Sequence, residues 1–264
     1  MADSCQLYGG KLMRKPIIAG NWKMYKNLGE AVDLVRKLKE SLADVLSVEV
    51  IVSPPFTALA AVAAELSGSN ISVAGQNMYW EEEGAFTGEV SPLMLKDAGC
   101  THVIIGHSER RQFFGETDAI VNKKLKAALK AGLIPIFCVG ETLEEREFGA
   151  TLKVVEKQIR EGLDGLAPQE MEKIVIAYEP VWAIGTGKTA TPQQAEDVHE
   201  AIGTIIAQTA GGVARNIRIL YGGSVKPDNI DILMSQPNID GALVGGASLR
   251  ADSFIRIVRF KNSK

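Results

Sequence analysis

Short, β-branched, mostly apolar runs recur eight times along the 264-residue chain, each followed by a longer stretch with helical periodicity. That alternation narrows the fold more than any other feature. The runs occupy 16–20, 48–52, 71–75, 102–106, 133–139, 174–178, 217–221 and 241–244. Several are apolar almost throughout, as strands must be when helices cover one face and a core fills the other. Between them, 29–45 sets Ala31, Leu34, Val35, Leu38 and Leu42 at spacings of three and four, and 57–66, 118–131, 143–162, 192–208 and 248–259 also read as helices. Pro192 directly behind Thr191 fits a first-turn proline after a capping threonine. Alternating βα units give parallel strands, and eight such units in a chain of this length match a single-domain (β/α)₈ barrel. A doubly wound open sheet shares the alternation, but no linker or composition shift divides the chain. The expected barrel spans 15–264, with 1–14 as a short appendage.

Charge and cysteine content narrow the function classes. Lys and Arg total 29 against 32 Asp and Glu, a formal charge of −3. Nucleic acid and anionic membrane both call for a concentrated positive field, so neither is expected as a partner, although a local anion pocket remains open. Cys5, Cys100 and Cys138 show neither metal-ligand spacing nor a disulfide framework, which fits a reducing, cytoplasmic setting. Residues 1–14 lack the apolar core of a secretory signal, and no apolar run reaches the length of a membrane span. The triplet Asn70-Ile71-Ser72 matches a glycosylation acceptor without the secretory context that would give it meaning.

A closed barrel gathers whatever follows its strands at one mouth. Here those residues are Asn21-Trp22-Lys23, Gln76-Asn77, His107-Ser108-Glu109-Arg110, Gly140-Glu141, Glu179-Pro180, Gly222-Gly223-Ser224 and Gly245-Gly246. Glu179 ends an apolar strand before a backbone-restricting proline, where burial can fit a carboxylate for general-base work or an ion pair can simply cap the rim. His107 can polarise a carbonyl as a neutral donor or be a satisfied structural histidine. Lys23 can attract an anion and stabilise developing oxyanion charge, with Asn21 as a neutral donor beside it. A surface lysine and a turn cap are the plainer readings. Glu109 and Arg110 can orient His107, bind Lys23 or pair in solvent. His102 and His199, at a far strand end and within a helix, carry no catalytic expectation.

The run Pro180-Val181-Trp182-Ala183-Ile184-Gly185-Thr186-Gly187-Lys188-Thr189-Ala190 reads as a lid with an apolar tip and glycine hinges, or as an ordinary packed loop. Gly187-Lys188-Thr189 resembles the end of a nucleotide phosphate loop, but Trp182 stands where that motif needs glycine. The glycine pairs after the seventh and eighth runs suit a backbone cradle for phosphate, joined by Gly185, unless they are tight turns alone.

Read together, Asn21-Trp22-Lys23-Met24, the run from Ile105 to Arg111, the run from Ala177 to Gly187, Tyr221-Gly222-Gly223-Ser224-Val225 and the run from Asp240 to Leu249 resemble the successive signatures of the triosephosphate isomerases. The resemblance covers about 14–260 and implies a TIM barrel that interconverts dihydroxyacetone phosphate and D-glyceraldehyde 3-phosphate with no metal and no organic cofactor. It implies Glu179 as the base that moves a proton between two carbons and His107 as the neutral electrophile. Base, neutral histidine and closing lid are the family's own standard example. Lys23 and Asn21 would hold substrate oxygens, Glu109 would support them, and Gly185, Ser224, Gly245 and Gly246 would bind phosphate. Gln76-Asn77 and the run from Gly84 to Glu89 resemble the family's docking loop, implying a homodimer in which Thr87 helps to orient Asn21 and Lys23 of the other subunit. A solvated acidic loop is the alternative, given Glu81-Glu82-Glu83. Residues 1–14, and Tyr25 in place of a small polar residue, depart from the family pattern without removing a catalytic group. Another phosphate-handling barrel enzyme, such as a sugar-phosphate epimerase, and a non-enzymatic phosphosugar binder are the competing readings.

Overall fold

The eight apolar runs form strands, and the last returns to the first. The computed structural model describes residues 7–8, 11–12, 14–184 and 189–261. Its strands are β1 (Ile17–Asn21), β2 (Glu49–Ser53), β3 (Ile71–Gly75), β4 (His102–Ile105), β5 (Ile134–Val139), β6 (Val175–Tyr178), β7 (Arg218–Tyr221) and β8 (Gly241–Val244). They pair in sequence order and in parallel, and Ala242 of β8 lies opposite Ile18 of β1, which closes the barrel and rules out the open sheet. A two-residue antiparallel pair, Leu7–Tyr8 with Lys11–Leu12, precedes it.

Strand ends differ from expectation for local reasons. Pro16 has no amide to donate, so β1 starts one residue later and runs on to Asn21. β4 stops at Ile105 because Gly106 turns the chain at a φ of 73°. The expected helix over 143–162 is two helices, α6 (Leu143–Glu147) and α7 (Thr151–Leu163), parted near Gly149, whose φ is 69°. The other long helices are α1 (Leu28–Ser41), α5 (Asp118–Lys130) and α9 (Pro192–Ala210), and the last has the expected Thr191 cap and first-turn proline. The expected helices at 57–66 and 248–259 each open with a 3₁₀ turn before α2 (Leu59–Glu65) and α11 (Ala251–Val258). Periodicity did not reveal α3 (Pro92–Asp97), α4 (Ser108–Phe114), α8 (Pro168–Met171) or α10 (Ile230–Met234), each seven residues or shorter.

Alternation along the strands separates two apolar layers. Ile17, Ala19, Ile51, Ala74, Ile104, Ile136, Val175, Ala177, Leu220 and Leu243 fill the barrel, while Ile18, Val50, Val52, Phe137, Ile176 and Tyr178 face the helices. Asn70 of the Asn-Ile-Ser triplet donates from its side-chain amide to the Leu42 and Val45 carbonyls at 2.9 and 2.7 Å, tying the end of α1 to β3.

At the end of the barrel remote from the mouth, Glu49 accepts from Arg218 at 2.5 Å and sits 3.2 Å from His102 Nε2. The contact with His102, helped by Arg218 and opposed by burial, holds the Glu49 carboxyl down to about 2 from an ordinary 4.5. A depressed carboxyl stabilises the fold fully above its unfolded value, and that contribution is lost as pH falls through the folded value. Glu49→Gln should therefore lose less of its remaining stability than the parent between pH 4.5 and about 2. Urea midpoints across that window test the point, and parallel curves for the two proteins would contradict it.

Candidate active site

Lys23 leaves β1 with a φ of 53°, which is costly for a residue with a side chain. Two contacts hold it there. Its amide donates to Asn21 Oδ1 at 3.0 Å, and its carbonyl accepts from Gln76 Nε2 at 2.8 Å, an amide shared with the Ser53 carbonyl at 2.9 Å. The turn sends Nζ to Glu109 Oε1 at 2.6 Å, and the other oxygen of that carboxylate lies 3.6 Å from His107 Nδ1, so Glu109 stands between Lys23 and His107. Gly245, after β8, also approaches this lysine, since a Cβ built on it would stand 3.7 Å from Lys23 Cε.

The turn at Gly106 places His107 as the cap of α4. The Glu109 amide donates to His107 Nδ1 at 3.2 Å, so the neutral ring carries its proton on Nε2. That Nε2 lies 3.0 Å from Glu179 Oε1. Arg110, by contrast, turns away from His107 to pair with Glu116 and to lie 4.7 Å over the Phe114 ring. Glu116 is buried with Lys124, whose Nζ reaches it at 2.5 Å and reaches Asn77 Oδ1 at 2.7 Å. This cluster ties α4 to the start of the loop at Gln76.

Glu179 is buried directly beyond β6. Ser108 donates to it twice, from its amide to Oε2 at 2.9 Å and from its hydroxyl to Oε1 at 3.3 Å. Burial alone would raise its pKa, but His107 and the Ser108 amide outweigh burial and hold the carboxyl below its ordinary value. Burial conversely pushes the His107 imidazole down, and the adjacent Glu179 carboxylate more than reverses this. That upward push depends on the carboxylate staying where it is. Gly222 closes the site from β7. A Cβ there would approach Glu179 Cγ at 2.9 Å and the Tyr178 carbonyl at 3.0 Å, and the Gly222 amide already donates to that carbonyl at 2.7 Å.

The segment after Glu179 is anchored at its start. Glu141, fully buried, accepts from the Tyr178 hydroxyl at 3.0 and 3.1 Å, from Trp182 Nε1 at 2.9 Å and from Arg146 at 3.2 Å, and the Arg146 guanidinium lies 4.4 Å over the Trp182 ring. Val181–Ala183 form a 3₁₀ turn with Ala183 buried, so the expected apolar tip is packed at this end, while Ile184 is half-buried. Ala190 is buried at the other end beside exposed Thr189. Gly185, Thr186, Gly187 and Lys188 lie outside the described residues. Ser224 is half-buried, and its carbonyl accepts from Asn229 Nδ2 at 2.9 Å; Gly245 is half-buried and Gly246 exposed.

The loop from Gln76 is more self-supporting than its composition suggests. Tyr79 stacks on Trp80 at 4.0 Å and meets Phe86 at 4.5 Å, Lys123 lies 5.0 Å over Trp80, and Lys130 pairs with Glu82 at 2.8 Å. Tyr79 and Trp80 are half-buried as a result, while Phe86 and Thr87 are exposed.

Sequence reading singled out Asn21, Lys23, His107, Glu109 and Glu179, and the fold brings these five to one mouth. It gave no role to Gln76, Ser108, Glu141 or Arg146 in shaping that site. In the sequence Gln76 carries only the docking-loop resemblance, Ser108 and Glu141 only a position just beyond a strand end, and Arg146 no signal, because most of their partners come from other βα units.

Fold and site together define a class: a β/α-barrel enzyme with a buried carboxylate, a capped imidazole, a lysine and glycine-rich turns at its C-terminal mouth. The comparisons narrow this class to one family. Residues 16–261 match the family model described as triosephosphate isomerase. Proteins of that name from Syntrophotalea carbinolica and Chloroflexus aurantiacus are 60% and 59% identical over 250 residues each, 94% of this chain and 99% and 100% of theirs. A triosephosphate isomerase crystal structure from Bartonella henselae superposes with a TM-score of 0.84 at 43% identity, covering 92% of this chain and 97% of that one. The chain belongs to the triosephosphate isomerase family and is an isomerase.

Proposed function

We propose that the site interconverts dihydroxyacetone phosphate and D-glyceraldehyde 3-phosphate through an enediolate, with Glu179 as the base. The observation that carries this reading is the buried Glu179 carboxylate 3.0 Å from His107 Nε2. Glu179 removes a proton from carbon one, and the C–H electron pair forms the C1–C2 double bond as the carbonyl electrons move onto oxygen. His107, with its proton on Nε2, donates a hydrogen bond to that oxygen, and Lys23 and Asn21 stabilise the charge that develops there. The hydroxyl proton on oxygen one then passes to oxygen two, relayed by His107 Nε2, and the proton on Glu179 returns to carbon two as the electrons of oxygen one re-form a carbonyl at carbon one. Glu179 must leave Ser108 and His107 to reach carbon. Once it does, burial and the amide on Nδ1 keep His107 neutral.

Ser224, Gly245 and Gly246 supply the phosphate cradle next to Lys23, with Gly185 as its fourth member, and 180–190 closes over the substrate. The reaction calls on neither metal nor organic cofactor. Exposed Met24, Tyr25, Phe86, Phe113 and Phe114 follow β1, β3 and β4, at the mouth of adjacent parts of the barrel. This supports a homodimer through the 76–89 loop, with Thr87 inserted toward Asn21 and Lys23 of the second copy. Buried Cys100 and Cys138 thiols suit a reducing cytoplasm.

A coupled assay on dihydroxyacetone phosphate without added metal tests the reaction. Formation of glyceraldehyde phosphate is expected, while phosphate binding without turnover would favour a binding protein. Lys23→Met should raise KM and lower kcat together, because one charge both attracts the anion and stabilises the oxyanion. Unchanged values across several ionic strengths would remove Lys23 from the site.

A further inference from the structure

His199 lies on α9, outside the barrel, and is fully buried. Its ring meets Tyr178 edge-on at 5.8 Å and Tyr221 at 6.3 Å, both within the range of favourable aromatic contact. Those tyrosines end β6 and β7. Glu179 follows the first and Gly222 the second, and the two ends are joined where the Gly222 amide donates to the Tyr178 carbonyl at 2.7 Å. The ring is itself moored. His199 Nδ1 lies 3.2 Å from the Asn238 carbonyl, so Nδ1 carries a proton that it donates there. Asn238 is held in turn by buried Glu196, one turn earlier on α9, through its amide at 3.1 Å and its side-chain nitrogen at 2.6 Å. One imidazole thus touches the strand that presents the base and the strand whose glycine packs against that base.

We propose that His199 is a positioning residue for proton transfer: packed behind Tyr178 and Tyr221 and moored to Asn238, it fixes the ends of β6 and β7 against each other and so sets where Glu179 stands. The clearance leaves little slack, since a Cβ on Gly222 would reach Glu179 Cγ at 2.9 Å. A small relative slip of the two strands therefore becomes a displacement of the carboxylate. Of the phosphate cradle, Gly245 and Gly246 follow β8 and do not depend on this brace, and Ser224, three residues beyond β7, is held separately by Asn229, whose Nδ2 donates to its carbonyl at 2.9 Å.

The proposal rests on Glu179 being the base, and its test separates the two claims. His199→Ala should lower kcat about tenfold, with the inhibition constant for inorganic phosphate unchanged within about twofold. In a Glu179→Asp background the same substitution should cost about twofold or less, because the base is already withdrawn and the two changes act on one distance. His199→Phe, which keeps a ring against both tyrosines, should recover most of the lost kcat. If His199→Ala does not fold, His199→Gln, which retains a donor for the Asn238 carbonyl but no ring, passes through the same cycle with the same expectation. Full kcat in a folded ringless variant, an equal loss of turnover and phosphate affinity, or a tenfold loss that persists beside Glu179→Asp would each overturn the brace. Normal turnover in Glu179→Asp alone would instead overturn the assignment of the base.

Discussion

Glu179→Asp should give a folded protein that binds inorganic phosphate as tightly as the parent and isomerises about 100-fold more slowly, the cost expected of withdrawing a reacting group by about 1 Å. Folding should survive because the change keeps the charge that His107 and Ser108 stabilise, and the freed space is one methylene beside Gly222. Phosphate binding should survive because the proposed cradle, Ser224, Gly245 and Gly246, comes from other βα units. Rate should fall because the shorter side chain cannot both leave Ser108 and span the gap to carbon. The ionised carboxylate is needed as the base, and its partners depress its pKa in the resting site, so base activity should persist below the ordinary carboxylate range and disappear as pH falls through the depressed value. Single-turnover rates with phosphate inhibition measured on the same samples decide the matter. A correctly folded variant with near-normal chemistry would remove Glu179 as the carbon base.

What the sequence disclosed follows from which interactions are local. The apolar strands announced themselves because both their faces are buried, and Gly106 marked a strand end because a left-handed turn there favours glycine. The single helix expected over 143–162 was an error of periodicity. Leu143 and Phe148 are exposed and α6 buries no side chain, burial begins only at Val155 of α7, and the positive φ at Gly149 breaks the helix between them. The side chains that create the site's electrostatics were less legible. Ser108 was visible next to His107, but its two bonds to Glu179 connect residues 71 positions apart. Glu141 is coupled to Trp182 across 41 positions, and Gln76 to the Lys23 carbonyl across 53. No spacing rule links such pairs, since barrel closure alone brings them together. The family resemblance proposed Glu179 and His107 as the reacting groups, whereas their arrangement in the structure, with the Glu179 carboxylate tied to α4 through Ser108, required coordinates.

Excision of Trp80–Glu89 should convert the protein to a monomer with turnover reduced by about two orders of magnitude while leaving the barrel folded. The boundaries matter. Gln76 holds the left-handed turn at Lys23, Asn77 accepts from buried Lys124, and Met78 is fully buried, so removal from Gln76 onward would damage the site and the fold directly. Tyr79 and Val90, in contrast, already face each other through a 2.8 Å backbone bond and can be joined by a short glycine-containing turn. The excision removes the Trp80 stack, exposed Phe86 and Thr87, and leaves Lys123 and Lys130 without Trp80 and Glu82, contacts on the surface that contribute little to stability. In a two-fold pair each subunit gives and receives the same loop, so its loss abolishes both halves of the contact at once. With the proposed Thr87 contact from a second copy removed, the strained Lys23 turn would rest on Gln76 and Asn21, and the first-loop groups should loosen more than the glycine cradle. Turnover should thus fall further than phosphate affinity. Sedimentation and turnover measured at matched concentrations test both parts, and a monomer with the parent's activity per site would sink the catalytic coupling while leaving the barrel intact.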